Sequence, residues 1–445
     1  MTPTSTAAKL ILASLFICIS SMGISPAAEP LRAYPGAEGY GSIAAGGRGG
    51  RVIKVTNLET HGPGSFQAAC SASGPRIVVF DVSGVIPGDA TVEHGQISIM
   101  GQTAPGAGIT IAGRLATRYN APHAIDDVVI RFLRVRPDDA RGNSGDAVQI
   151  SQATRVILDH VSCSWAADET VDVYGARDIT VSWCTIEESA VRGHPKGRHN
   201  FGLISGPEGE HITIHHNLFA HHARRNPAVA NGPADIRNNV MYNFRDGLTH
   251  EGHPPNNRGF NLIGNYYQRG PSDPKIFPFC FQGEVAYYLR DNFIAGVGLI
   301  QDPWAEAEKL PGLAYYADHG TKAAEEFPVP AVQTHSPEEA YRLVLDRAGC
   351  FPRDVVTRRI VREVREGTGE WGRPAQREPL MAGLEPQQPP ADSDSDGLPD
   401  QWEEANGLDA GDPTDSHTLT ESGYPAIEWY CHELAEERIV AGVRQ

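Results

Sequence analysis

Ile214-His215-His216-Asn217-Leu218-Phe219, Ile236-Arg237-Asn238-Asn239-Val240-Met241, Leu262-Ile263-Gly264-Asn265-Tyr266-Tyr267 and Leu289-Arg290-Asp291-Asn292-Phe293-Ile294 are four segments with one frame: apolar first, asparagine fourth, apolar or aromatic sixth. Leu158 to Cys163 and Val181 to Ile186 share the first and last positions, and Ile130 with Val135 extends the frame one step earlier. Subtracting successive first positions from Leu158 onward gives steps of 23, 33, 22, 26 and 27 residues. A strand repeat of this length, varied by insertion, is what a solenoid produces. Each coil can bury its inward residues only against its neighbours, and loops absorb the surplus. A propeller needs repeats near twice this length, and a sandwich would not keep phase so long. The chain reads as all-β, a single-stranded parallel β-helix. Its asparagine column is expected to hydrogen-bond from rung to rung and to cap turns in the left-handed backbone region.

Outside this frame the chain changes character. Residues 1–28 carry Lys9, an apolar run from Leu10 to Ile19 and small residues at Ala27-Ala28, the pattern of a secretory signal and too short for a membrane anchor. The β-helix is expected over 29–300. Residues 301–375 form an extension with a helix starting at Ser336-Pro337-Glu338-Glu339, a capping box with proline at the first helical position, and closing at Gly349. That helix is expected to pack on the solenoid, on or beside the end, which needs a cover. Residues 376–391, broken by Pro379, Pro386, Pro389 and Pro390, read as a linker, and 392–445 as a small acidic module.

Length and charge narrow the function. A chain of 445 residues exceeds one ordinary core, which suits an elongated repeat body. A net charge of −17 argues against a nucleic-acid partner, and a polyanionic ligand would need a local basic cleft or a divalent cation. No membrane association is expected, and the chain is read as a monomer. Six cysteines follow the signal, compatible with any of 15 pairings or with buried thiols, and no C-x-x-C pair is present.

Three stretches carry more polar residues than folding needs: Gly145-Asp146-Ala147-Val148, Leu158 to Asp172, and His221-His222-Ala223-Arg224-Arg225-Asn226-Pro227. In a β-helix, residues of equal phase on successive coils lie about 4.8 Å apart, so Asp146, Asp168 and Asp172 can form one acidic cluster. Crowded carboxylates want a hard cation, and oxygen ligands of variable geometry suit Ca²⁺. Asp159 and His160 read as hydrogen-bonded residues of the rung itself.

Ala33-Tyr34-Pro35-Gly36-Ala37-Glu38-Gly39-Tyr40-Gly41 with Gly46-Gly47-Arg48-Gly49-Gly50, then Asp159 to Trp165 leading to Asp168-Glu169, then His215 to His222 before Arg225-Asn226-Pro227, resemble the pectate lyases of polysaccharide lyase family one over about residues 33–300. The resemblance implies Ca²⁺-dependent β-elimination of an acidic, pectate-like polysaccharide on a right-handed β-helix. Asp146, Asp168 and Asp172 would hold the primary Ca²⁺, and Arg225 would be the catalytic arginine. Where the family pattern continues past the proline to a second arginine, this chain has Ala228-Val229-Ala230, so Arg224 is the candidate for that clamp. The family's lysine in the preceding strand is absent from His199-Asn200-Phe201-Gly202-Leu203-Ile204, leaving Lys196, Arg198 or His199 as substitutes.

A second calcium signal lies in the tail. Asp392-Ser393-Asp394-Ser395-Asp396-Gly397 with Asp400 and Glu403 wraps oxygen ligands around a sharp glycine turn, and a short helix should end at Gly407. It is similar to the thrombospondin type 3-like calcium repeats of secreted proteins, which implies a structural role. Two other functions remain open on the residues: hydrolysis by paired carboxylates among Asp168, Glu169 and Asp172, as in polygalacturonase-type hydrolases, and non-catalytic glycan binding.

Overall fold

The structure is a computed structural model that describes residues 1, 30–137, 145–230, 232–250, 259–281, 285–306, 320–372 and 379–444. By its contacts the chain divides into residues 1–30 and 31–445. The signal segment lies outside the described residues apart from Met1.

Residues 31–445 wind three sheets, of eleven, ten and eight strands among the described residues, parallel throughout except for the edge strand Gly298–Ile300 of the ten-stranded sheet, which turns back antiparallel on Asn292–Ile294. The register is the one the repeat spacing demands. Ile130 pairs with Leu158, Leu158 with Val181, then Ile214, Ile236, Leu262 and Leu289 follow in one column of the first sheet. Val135, Cys163, Ile186, Phe219, Met241, Tyr267 and Ile294 form the matching column of the second. Each such apolar side chain contributes about 1.5–3 kcal/mol by leaving water, and a coil isolated from its neighbours would forfeit that burial.

The asparagines stack. Asn217 Nδ2 donates to Asn239 Oδ1 at 3.0 Å, Asn239 to Asn265 at 3.1 Å, and Asn265 to Asn292 at 3.0 Å. Each amide also reaches a backbone carbonyl of the preceding coil, as Asn239 does to Ile214 at 2.8 Å. The left-handed turn position, expected at these asparagines, falls one residue earlier. It holds Phe132, His160, Trp183, His216, Asn238, Gly264 and Asp291, with φ between 51° and 64°. The bend turns on that residue, and the asparagine after it ties the bend to its neighbours. The rings in this column stack from Phe132 through His160 and Trp183 to His216. Asn239→Ala is expected to cost about 1–3 kcal/mol, because two buried backbone groups of the preceding coil, Asn217 N and Ile214 O, lose their partners. Urea unfolding measures it.

The solenoid continues past residue 300, to Thr321–Lys322, which pair with Ala286 and Tyr287. The short helix Phe66–Ser71 seats Phe66 against Phe80 in the core beside the first coils. Helix Pro337–Arg347 begins as expected, Ser336 Oγ accepting from Glu339 N at 3.2 Å, and gives way at Ala348 before Gly349. It packs on the solenoid, along the flank in place of the end. With helix Val355–Glu366 it lies along the flank of the ten-stranded sheet, packed on Leu218, Ala220, Val240 and Tyr242. A buried ion pair network fixes it there: Arg136 bonds Asp354, which caps the second helix, and pairs with Glu187 of the solenoid at 2.9 Å.

The acidic module is not a separate body on a tether either. Leu398, Ala426, Ile427 and Cys431 pack on Ile77, Val79, Met100 and Ile157, the outer face of the eleven-stranded sheet. Pro386, inside the expected linker, bridges to Gly106. All six cysteines of the described chain are buried free thiols, so none of the possible disulfides forms. Burial pushes the Cys70 and Cys431 thiols up to about 12. Among the described residues, no helix is long and apolar enough to cross a membrane.

Candidate active site and calcium centres

The eight-stranded sheet carries the chemistry. In its strand Glu169–Tyr174, Val171 and Val173 point into the core, which turns Asp172 and Tyr174 outward. Asp146 sits two residues before the neighbouring strand Val148–Ser151, and its Oδ1 accepts from Glu169 N at 3.1 Å. Asp146, Asp168 and Glu169 bring carboxylate oxygens within 4.8 Å of one another. Asp172 lies outside that tight group. Gln149 Nε2 donates to its Oδ2 at 3.2 Å, yet its charge still reaches Asp146. Burial, with Asp172 and Asp168 beside it, pushes the Asp146 carboxyl up to about 8. Burial and Asp168 raise Asp172 to about 6. A site whose buried carboxyls resist ionisation fits a divalent cation, which supplies the missing positive charge.

Asp168 is clamped by imidazoles. His199 Nδ1 lies 2.7 Å from Oδ1 and His194 Nε2 lies 3.4 Å from Oδ2, with the two rings stacked at 3.6 Å. His199, read from sequence as a stand-in for a substrate-binding lysine, therefore holds a carboxylate of the cluster instead.

Arg225 occupies a left-handed backbone conformation, φ 62°, which is costly for a residue with a side chain. The surrounding bonds impose it. Its carbonyl accepts from Leu203 N at 2.8 Å, and the next residue, Asn226, donates through its side chain to His222 O and Asp246 O. The guanidinium stands 4.2 Å over the Phe201 ring and bonds the Glu169 carboxylate. Arginine and acidic cluster are thus joined through Glu169. Arg224 points elsewhere, pairing with Asp246 at 3.1 Å with its side chain more than half exposed. Lys196 and Arg198 are exposed on the loop before the strand Phe201–Ser205, with Arg198 5.9 Å from the Trp371 ring. Asp159 lies on the eleven-stranded sheet, bonded to Arg131 at 2.9 Å, His160 at 2.9 Å and Ser182 at 3.0 Å, as a rung residue should be.

In the tail, Asp392, Asp394 and Asp396 converge, and Asp396, Glu403 and Asp415 form an adjoining group. Glu403 is wholly buried and neither carboxylate oxygen has a hydrogen-bond partner; Asp394 Oδ2 and Asp415 Oδ1 are likewise buried and unpartnered. Burial and four neighbouring aspartates push Glu403 up to about 7. Orphaned buried carboxylates converging on one point fit a hard cation. Asp400, read as a ligand, turns away to accept from Ser393 N at 2.7 Å and Ser393 Oγ at 2.8 Å, closing the loop. The helix Asp400–Asn406 ends at Gly407, φ 74°. Sequence reading missed Asp415, although Asp409, Asp412 and Asp415 form a second spaced acidic run. It also missed His194 and the place of Glu169 among the oxygens of the cleft.

No family model matches the chain. It is 36% identical over 432 residues to a "Probable pectate lyase C" of Aspergillus terreus, covering 93% of this chain and 97% of that protein. A protein of the same name from Emericella nidulans is 33% identical over 436 residues, with 96% and 97% covered. Among solved structures, a thermostable pectate lyase superposes with a TM-score of 0.52 at 15% identity, covering 72% of this chain and 98% of that one, a likeness of fold. With the full-length relatives and the β-helix in agreement, this chain belongs to the pectate lyase family.

Proposed function

We propose that this protein is an exported, monomeric polysaccharide lyase that cleaves pectate by Ca²⁺-dependent β-elimination at the Asp146–Asp168–Asp172 cluster. The observation that carries the reading is the junction of that cluster with Arg225 through Glu169 on one sheet face. Asp146, Asp168, Asp172 and Glu169 would hold the cation, which when bound neutralises a uronate carboxylate beside the proton to be removed. Removing the C5 proton builds negative charge next to that carboxylate, and a cationic group already fixed there lowers the barrier. Arg225, pinned by its turn and stacked on Phe201, is the group placed to take the proton. Alkaline pH favours the neutral guanidine that a base requires. Lys196 and Arg198 line the approach as carboxylate partners, Arg224 being held by Asp246, and His199 acts through Asp168. Asp392, Asp394, Asp396, Glu403 and Asp415 hold a structural Ca²⁺.

The paired-carboxylate hydrolase reading is weaker, because Asp168 is bonded to two imidazoles and Glu169 to Arg225. The test is a Ca²⁺ titration of activity on polygalacturonate from pH 6 to 8. Ca²⁺ must displace the proton that Asp146 holds up to about 8, so the half-saturating concentration should fall on the order of tenfold or more across that range. Full activity in chelator would sink the proposal.

A further inference from the structure

A cavity of about 550 Å³ opens on the eight-stranded sheet beside Asp172, lined by Arg114, Arg118, Tyr119, Gln149 and Tyr174 among others. The strand Leu115–Thr117 explains its shape. Leu115 turns into the core, so Arg114, Ala116 and Arg118 share the outer face, and the small Ala116 leaves a floor between two arginines. Parallel register sets Ala116 beside Gln149 and Gln149 beside Asp172, so the strand lies two spacings, about 10 Å, from the acidic cluster. A chain of hydrogen bonds spans the gap: Arg114 Nη1 donates to Gln149 Oε1 at 3.3 Å, and Gln149 to Asp172 at 3.2 Å. Tyr119 is half exposed, and its ring meets that of Tyr174 at 6.0 Å and 63°.

From this we infer that the trough is a distal subsite for a free-acid uronate, two strand spacings from the bond that breaks; the inference rests on the lyase reading of the neighbouring cluster. An arginine has five donors in a planar fork matched to a carboxylate, and one bond to Gln149 leaves most of the Arg114 fork for ligand. Arg118 pairs with Glu93 yet is half exposed, so it can offer its outer edge to the same chain. Tyrosine faces give a pyranose an apolar platform and a hydroxyl rim. Arg114 and Arg118 also answer the charge problem of a chain with net charge −17, giving a polyanion cationic contacts beside the cation site. A methyl ester removes the bidentate acceptor, so this subsite selects unesterified units.

The experiment measures oligogalacturonate binding by calorimetry in chelator, where the lyase is silent, using a long oligomer and the dimer, on the full chain. The double variant Arg114→Ala/Arg118→Ala should lose tenfold or more in affinity for the long oligomer and less for the dimer. Arg114→Lys, which keeps charge but not the fork, should recover only part. If the double variant does not fold, Arg118→Ala alone, on a half-exposed side chain, carries the same comparison. Equal losses at both lengths, or none, would overturn the inference. A wild type that binds long oligomers through these arginines but releases no product would sink the lyase reading and leave the subsite standing.

Discussion

Arg225→Ala is expected to lower kcat on polygalacturonate by about a thousandfold or more, with the Ca²⁺-bound protein still folded. The magnitude follows from removing the group that meets the developing charge or takes the proton, effects worth about 10²–10⁴ each. The guanidinium bonds Glu169 and lies over Phe201, so its loss frees a carboxylate beside the cation site. The cation then gains an unopposed oxygen, and Ca²⁺ affinity should hold or rise as turnover collapses. That opposite movement separates a chemical role from a structural one. A plain salt bridge would lose stability and retain kcat. Arg225→Lys tests the arginine itself: a lysine preserves the charge but not the fork, and activity should stay far below that of the native enzyme. Steady-state kinetics with a calcium titration on both variants decide it.

Chelating Ca²⁺ is expected to lower the thermal midpoint by on the order of 8 °C. A cation present at about a thousandfold over its dissociation constant contributes about 4 kcal/mol to the folded state. Each kcal/mol moves a chain of this size by roughly 2 °C. The tail supplies the reason, since Glu403 is buried with both carboxylate oxygens unpartnered, and its module packs on the solenoid through Leu398 and Ile427. pH sharpens the effect. Asp146 and Glu403 both titrate above the ordinary carboxylate range, at about 8 and about 7, so the folded metal-free chain binds their protons more tightly than the unfolded one. Their contribution is therefore complete below about pH 4 and is lost as pH rises through 7 to 8. The metal-free protein should weaken over that interval, and the Ca²⁺ form should not. Glu403→Gln should stabilise the metal-free chain at pH 8 and blunt the response to Ca²⁺. Calorimetry across pH with and without chelator shows this, and identical midpoints would refute a structural cation.

The coil register was legible because side chains in a strand repeat every second residue and a solenoid must keep its inward columns aligned, so the spacing alone sets Leu158, Val181 and Ile214 over one another. The asparagine ladder was legible for the same reason, while its left-handed turn lay one residue off because the amide serves best just after the bend. Asp146 and Asp168 came together, although they are not of equal phase: the register carries Asp146 opposite Glu169, one residue after Asp168. Asp172, three residues further along the same strand as Glu169, stays outside the tight group, and Glu169 enters because the register sets it opposite Asp146. His194 lies on a loop, and nothing in a linear sequence tells that a loop ring returns to Asp168. Nor could spacing show that the acidic module lies against the first sheet. Its apolar residues, Leu398 and Ile427, are sparse, and their partners are outward-facing residues more than 240 positions away.

The most direct test of the central claim is the product of polygalacturonate digestion with Ca²⁺ at alkaline pH. Elimination predicts 4,5-unsaturated oligomers, seen as a rise in ultraviolet absorbance, with masses that sum to the parent and no water added. Saturated products carrying one water for each cut would contradict it.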